Sequence, residues 1–514
     1  MVWLEISANT PGARKMESVW GSPADDWLLA RTRATPQATA VIIGDERWNY
    51  AELNILVDQA ANILNKYAKR GARIAAFLPN NLAYVCLVHA AARCGTILVP
   101  LNTRLSNEEL EWQLEHAQCS ILVIDDAAAD RFENWETHDR KVIHSATLFT
   151  GKPERSESAD LLHDGEEVQA IVFTSGTTGK PKGAMLTFSN HFYSAVASGY
   201  RLGVLPEDIW LCCLPLYHVG GLAVLLRSCL YGTAVELHDG FDLATVSESL
   251  DRQPITLISL VPTMVQRLLR YRAGRSWPSS LCHVLIGGSA VPPELIAECH
   301  DLGIPVSVTY GLTEAASQVA TMTPRDVPRK PGSAGKPLLF TRVMILSEES
   351  RPLAANEVGE IVVSGPIVMA GYDRDAAATT RVLQKGWLHT GDIGMLDEDG
   401  DLWVLQRRDD VIISGGENIY PAEVEAVLQA HPAVKQACVV GVEDQEWGQH
   451  VAAAIVLEID QAISDSELID SCRRQLAGYK LPKQVIILSQ LPLTASGKVH
   501  RRAVSEIFAD RKSQ

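Results

Sequence analysis

Residues 174–183 read TSGTTGKPKG, small hydroxyl residues and glycines threaded by two lysines, directly after the apolar run Ala170-Ile171-Val172-Phe173. Such a stretch is suited to wrapping phosphate oxygens. The hydroxyls of Thr174, Ser175, Thr177 and Thr178 are donors to oxyanions, Gly176 and Gly179 let backbone N–H groups approach closely, and Lys180 and Lys182 supply positive charge. It is not a Walker A loop, which needs glycine at position 174 and Ser or Thr after Lys180, where this chain has Thr174 and Pro181. The plainer reading is a flexible linker of small residues, but such linkers rarely carry two lysines around a proline after a buried strand.

Outward from this loop, residues 39–125 alternate short β-branched runs with amphipathic helices, the pattern of a mainly parallel sheet. Asn49 and Glu52 predict a capping box, with Leu53, Leu56, Val57, Ala60, Ile63, Leu64 and Tyr67 on one face and Gly71 as the stop. Strands are expected at Ile74 to Leu78, Ile97 to Pro100 and Ile121 to Ile124, then at Thr256 to Leu260, Val284 to Ile286 and Val306 to Thr309. None of the first turns carries GxGxxG, which disfavours a dinucleotide fold. From about 332 to 405 short β runs (Val343 to Leu346, Glu360 to Ser364, Leu402 to Leu405) between Gly, Pro and Asp turns predict a small antiparallel or barrel-like unit. The last hundred or so residues read as a compact α+β unit. It has a helix from near Pro421 with Val424, Val427 and Leu428 inward, strands at Cys438 to Val442 and Val451 to Leu457, and a second capping box at Ser464 and Glu467 whose helix Gly478 closes. The expected class is therefore α/β: a large N-terminal domain of doubly wound sheets with a small β-barrel-like subdomain, then a small mobile α+β C-terminal domain. The boundaries fall at 1–22 for an irregular extension, 23–408 and 409–514, and Met16 is an alternative start.

Bulk composition narrows the partners. The 514 residues are 46% hydrophobic and 21% charged, an ordinary globular mixture. A formal net charge of −16 argues against nucleic acid or an anionic membrane, so any anionic ligand must be met by a local cluster of cations. The ten cysteines show no CxxC spacing and fit reduced thiols in the cytoplasm. No uninterrupted apolar run approaches the ~20 residues of a membrane span; the most tempting one, Val219 to Leu230, is broken by Arg227. The N-terminus has no signal-peptide pattern, and the oligomeric state is left open, a homo-oligomer included.

Five strings, TSGTTGKPKG (174–183), YGLTE (310–314), TGD (390–392), RRDDVIISGGENIYP (407–421) and PLTASGK (492–498), carry a resemblance in their order and spacing. The chain resembles the adenylate-forming superfamily of acyl-CoA synthetases, nonribosomal peptide adenylation domains and luciferases, from about residue 25 to the C-terminus. That resemblance implies ATP, Mg²⁺ and CoA, with a small carboxylic acid converted first to an acyl adenylate. It puts the loop from Thr174 to Gly183 on the β- and γ-phosphates, Glu314 on Mg²⁺, Tyr310 against adenine and Asp392 on the ribose hydroxyls. Gly288, Ser289, Gly311 and Thr313 complete the nucleotide site, and Arg407 reaches the ribose and phosphates. Lys498 bridges carboxylate and α-phosphate. The C-terminal domain then swings about Asp409 to withdraw Lys498 and present Ser414 to Asn418, with Gly415 and Gly416 facing pantetheine. Where the family usually has Gly before the arginine, this chain has Gln406. Taken singly, these residues have plainer readings: Tyr310 a core residue, Glu314 a solvated loop acid, Thr-Gly-Asp a turn, Arg407 and Lys498 surface charges.

The acyl pocket implied by the family lies between Leu214 and His218, Gly220-Gly221 and the turn from Gly287 to Ala290. His218 gates it and is a poor candidate base, since a carboxylate arrives ionised. The strings 188–204, 214–228 and 332–338 are most similar to the o-succinylbenzoate-CoA ligases of menaquinone and phylloquinone biosynthesis. That similarity implies 2-succinylbenzoate, whose second carboxylate calls for a cation. Arg227 is the nearest basic residue, although a helix-surface arginine is its plainer reading. Alternatives are a ligase for fatty or aryl acids, a peptide-synthetase adenylation domain, a luciferase-like oxygenase and a non-enzymatic AMP-binding regulator. The last predicts loss of catalytic groups, and Thr174, Glu314, Asp392 and Lys498 are all present.

Overall fold

The computed structural model describes residues 26–132, 135, 140–156, 164–174, 181–289, 291–406, 411–458, 461, 463–492 and 499–511. The expected extension at 1–22 and the hinge at Asp409 lie outside the described residues. The first capping box forms as read: Asn49 Oδ1 accepts from Glu52 N at 2.8 Å and Glu52 Oε2 accepts from Asn49 N at 2.9 Å. The helix Tyr50–Leu64 buries Leu53, Val57, Ala60, Ile63 and Leu64. It stops earlier than Gly71. The Lys66, Tyr67 and Ala68 N–H groups turn back onto the Ile63 and Leu64 carbonyls, and Tyr67 is left exposed beyond the end. Local turn bonding thus ends the helix before the glycine is reached.

Two sheets form the large unit. The seven-stranded one runs Gly371–Tyr372, Lys182–Thr187, Val168–Thr174, Ile97–Pro100, Arg73–Phe77, Ile121–Ile124, Lys141–His144. The nine-stranded one runs Lys336–Pro337, Ala320–Met322, Val306–Tyr310, His283–Ile286, Leu257–Leu260, Ile209–Cys212, Ala234–Leu237, Thr39–Ile43, Glu46–Asn49, with its six strands from Val306–Tyr310 to Thr39–Ile43 parallel. The helices Tyr50–Leu64, Leu82–Arg93 and Val219–Tyr231 share one buried cluster with Ile74, Leu98 and Ala170 of the first sheet and Trp210, Val235 and Leu257 of the second. Leu110 and Leu114 cover the outer face of the first sheet; Val246, Val265, Leu268 and Leu295 cover that of the second. Strands buried on both faces are what continuous β-branched runs specify.

The opening loop joins two antiparallel strands, with Thr174 opposite Lys182 and Phe173 opposite Gly183. It therefore closes a hairpin, whereas a P-loop leads from strand to helix. The strands Arg342–Leu346, Gly359–Ser364, Trp387–Leu396, Leu383–Gln384 and Leu402–Gln406 form the small all-antiparallel unit expected.

The last sheet runs Glu417–Ile419, Ile412–Ser414, Gly448–Leu457, Val434–Asp444, with Gln484–Ile487 parallel to Gly448–Leu457. Helices Pro421–Gln429 and Asp465–Cys472 pack on one face with Ile412 and Ile419, and Arg501–Arg511 packs on the other with Leu491. The Ser464 and Glu467 box is present, but its helix ends at Cys472. Gly478 instead opens the short turn Gly478–Lys480, because the chain first buries Leu476 and Ala477. Among the described residues no helix is long and apolar enough to cross a membrane.

Candidate active site

A cavity of about 780 Å³ opens where the carboxyl ends of the parallel strands meet, the usual ligand position in open α/β sheets. Leu78 to Asn80, Asn102 to Leu105, Phe173 and Thr174 line it from the first sheet, and Cys213 to Pro215, Val261, Gly287, Gly288 and Gly311 from the second. The C-terminal unit closes it with Gly415, Gly416, Glu417 and Asn418.

At one part of the wall, the Tyr310 hydroxyl donates to Asp392 Oδ2 at 2.7 Å, and both residues are buried. The sequence places these residues 82 positions apart; the end of one strand and the middle of another bring them together. Gly311 has no room for a side chain, since a Cβ there would lie 1.5 Å from the Ser317 carbonyl oxygen. Thr313, Glu314, Thr390 and Asp392 line the cavity, as do Gly288 and Gly311, the chain neighbours of Ser289 and Tyr310, which are not themselves in the lining. Glu314 Oε1 accepts from the Tyr372 hydroxyl at 2.7 Å, and the Lys182 ammonium lies 5.3 Å from the Tyr372 ring centre. Thr174 Oγ1 donates to the Lys182 carbonyl at 3.4 Å. Ser175, Gly176, Thr177, Thr178, Gly179, Lys180, Ala290, Arg407 and Lys498 lie outside the described residues.

The turn after Glu314 is strained. Ala316 and Ser317 sit at φ of +48° and +92°, at a cost of about 1–3 kcal/mol each by general experience. Ser194 Oγ, donating to the Ala316 carbonyl at 2.7 Å, helps to hold it.

Opposite the glycines, His218 Nε2 is 3.0 Å from Glu417 Oε2, and the Tyr217 hydroxyl donates to Glu417 Oε1 at 3.3 Å. Arg104 and Asn102 also reach this carboxylate. Burial alone would push the Glu417 carboxyl up; the charges of His218 and Arg104 and the Tyr217 hydroxyl outweigh it and hold the group below its ordinary value. Nothing in the sequence singled out Glu417, Arg104 or Asn102 as one cluster, because only domain packing assembles them.

Arg227 departs from its plainer sequence reading. It is 2% exposed, lies in the cavity wall and donates from Nη2 to Ser194 Oγ at 3.0 Å. Among the described residues its Nε has no hydrogen-bond partner and no carboxylate is paired with it. Burial lowers its pKa. A buried guanidinium without a counter-charge is costly unless an anionic ligand completes it.

A family model described as AMP-binding enzyme matches residues 28–373, and one described as AMP-binding enzyme C-terminal domain matches 423–498. A 2-succinylbenzoate–CoA ligase of Bacillus cereus strain Q1 is 41% identical over 489 residues, covering 94% of this chain and 99% of that protein. Among solved structures, a double mutant of o-succinylbenzoate CoA synthetase from Bacillus subtilis bound with its product analogue OSB-NCoA superposes with a TM-score of 0.88 at 39% identity, covering 94% of this chain and 98% of that one. The Bacillus subtilis synthetase in complex with ATP and magnesium ion gives a TM-score of 0.71 at 40% identity, covering 93% and 98%.

Proposed function

The chain belongs to the AMP-binding enzyme family, and from that premise we propose that it is an acid–CoA ligase converting 2-succinylbenzoate, ATP and CoA into 2-succinylbenzoyl-CoA, AMP and diphosphate, a step of menaquinone biosynthesis. The observation that carries the choice of acid is Arg227, buried in the cavity wall with no counter-charge among the described residues. A monocarboxylic acid spends its only carboxylate on phosphorus. An acid with two carboxylates has one left for the guanidinium.

The first half-reaction brings a carboxylate to the α-phosphorus of a polyanion, so donors and cations must surround both. We assign the loop from Thr174 through Ser175, Gly176, Thr177, Thr178, Gly179 and Lys180 to the β- and γ-phosphates, and Asp392, steadied by Tyr310, to the ribose hydroxyls. Gly288, Ser289, Gly311 and Thr313 take the adenine and phosphate surroundings, Arg407 the ribose and phosphates, and Lys498 the charge between carboxylate and α-phosphate. Glu314 fits a hard divalent cation: it is a carboxylate on the cavity wall with one oxygen held by Tyr372. Mg²⁺ bound there neutralises phosphate charge. Replacing Tyr310 with Phe removes a hydrogen bond to a carboxylate worth about 1.5–3 kcal/mol and is expected to raise KM for ATP about tenfold. Pyrophosphate exchange measures this; an unchanged KM argues against Asp392 as the ribose acceptor.

In the second half-reaction the CoA thiol must reach the acyl carbon of the adenylate, forming the thioester bond as AMP leaves. Two observations support reading the described arrangement as the thioester-forming one: Gly415, Gly416 and Glu417 stand in the cavity wall, and the superposition is better on the product-analogue complex than on the ATP complex. We place the division between the two units at Asp409 and the gating role at His218, whose ring is held against Glu417. All ten cysteines are free, which supports a cytoplasmic location.

A panel of acids assayed by pyrophosphate release tests the reading. The expected result is a kcat/KM for 2-succinylbenzoate above those of benzoate, hydroxycinnamate and medium-chain fatty acids by about 10²-fold or more, because a site built for a polar group rejects analogues lacking it. Faster turnover of a fatty or hydroxycinnamic acid would replace this substrate with that one.

A further inference from the structure

Lys480 is 3% exposed, and its Nζ lies 2.5 Å from Glu109 Oε1 and 2.7 Å from Glu423 Oε1. Glu423 and Lys480 belong to the C-terminal sheet unit, whereas Glu109 stands in the helix Asn107–His116 that covers the first sheet of the large unit. A buried ammonium shared by two carboxylates thus spans the two units. Glu109 is set in place by its own helix, since its Oε2 accepts from Ser106 N at 2.7 Å as part of a capping box. Around the triad the same two segments meet repeatedly. Ser106 Oγ donates to the Gln475 carbonyl at 3.2 Å, Asn102 Nδ2 to the Tyr479 hydroxyl at 3.3 Å, and the Arg104 guanidinium lies 4.7 Å from the Tyr479 ring centre. Asn102 and Arg104 are also the residues that reach Glu417 in the cavity. Among the described residues Glu423 Oε2 has no hydrogen-bond partner, and burial pushes the Glu423 carboxyl up, against the pull of Lys480.

We propose that Glu109 is a positioning residue for thioester formation: by gripping Lys480 it fixes the C-terminal unit in the orientation that puts Gly415 to Glu417 into the cavity. The inference rests on the two-arrangement reading given above. When the C-terminal unit turns away, Lys480 and Glu423 travel together as a neutral pair and Glu109 stays behind. The cross-unit contact therefore exists only in the arrangement described, and its attraction counts toward that arrangement alone. Glu423 stays bound to Lys480 in both, and its repulsion of Glu109, present only in this arrangement, works against the grip, so removing its charge does not weaken the cross-unit pair.

The two half-reactions, measured separately on the full-length enzyme, test this. The probes are 2-succinylbenzoate with ATP for adenylate formation, and preformed acyl adenylate with CoA for single-turnover transfer. Glu109→Gln retains the cap, because Gln serves in the same box as Glu. The expected result is adenylate formation within about twofold of wild type and transfer slowed about tenfold or more, as for loss of one partner of a buried charge pair. Glu423→Gln, which leaves the cross-unit pair intact, is expected to transfer within about threefold of wild type. Equal slowing of both half-reactions by Glu109→Gln, or transfer at the wild-type rate, overturns the proposal while leaving the ligase reading standing. A wild-type enzyme that forms no adenylate from 2-succinylbenzoate overturns the ligase reading itself and this inference with it.

Discussion

Replacing Lys498 with alanine is expected to slow acyl-adenylate formation by about 10²–10³-fold, the usual cost of removing one group that stabilises developing charge, while transfer of supplied adenylate to CoA proceeds near the wild-type rate. The reason lies in how the C-terminal unit is built. The loop Ser414 to Glu417 belongs with Ile412 and Ile419 on one face of its sheet. Leu491 and Val504, which flank position 498 in the chain, pack on the other face, with the His500 N–H closing onto the Pro492 carbonyl at 2.8 Å. With Lys498 assigned to that second face, one rigid unit cannot present both faces to a single cavity at once, and the two half-reactions are expected to need different orientations. Single-turnover rates for each half-reaction measure the split, and a variant equally impaired in both contradicts the assignment of Lys498 to the first step alone.

Replacing Arg227 with methionine is expected to lower kcat/KM for 2-succinylbenzoate by about 10²–10³-fold, as for a carboxylate that loses its buried charge partner at about 3–5 kcal/mol. Benzoate, with no second carboxylate, is expected to be little affected. The thermal midpoint carries independent information. The guanidinium is buried, unpaired among the described residues and lacks a partner at Nε, so an apolar side chain of similar length leaves the free enzyme as stable or more so. A purely structural arginine predicts the reverse: a lower midpoint and the same loss for every acid.

Much of the architecture was legible because it depends on local chemistry. The boxes at Asn49 and Ser464 formed where a capping side chain precedes Glu by three residues, and the strands Ile97–Pro100 and Ile121–Ile124 have the predicted bounds. Helix ends were less legible: Gly71 and Gly478 were read as stops, but turn bonding after Leu64 and burial of Leu476 decided matters earlier in the chain. The strings around Thr174, Tyr310 and Asp392 point to a nucleotide site, since loops that approach phosphate need glycine and hydroxyl residues in sequence order, and the structure brings Tyr310 and Asp392 into contact.

Arg227 shows where such reading stops. On the sequence it is one cation in an apolar helix, equally suited to a surface; only the packing of helix Val219–Tyr231 between two sheets turns it inward toward the cavity and Ser194. Glu417 with His218, and Glu109 with Lys480, are separated by 199 and 371 residues, and no local pattern in the sequence pairs the two members of either contact. The sequence by itself therefore determined the family, the two-unit layout and the class of chemistry, all of which are written in short-range patterns of residue type. Which charges are buried, which remain uncompensated, and which pairs join the two units were decided by tertiary structure alone, because the energy of a charge depends on what surrounds it in space and not on its neighbours along the chain.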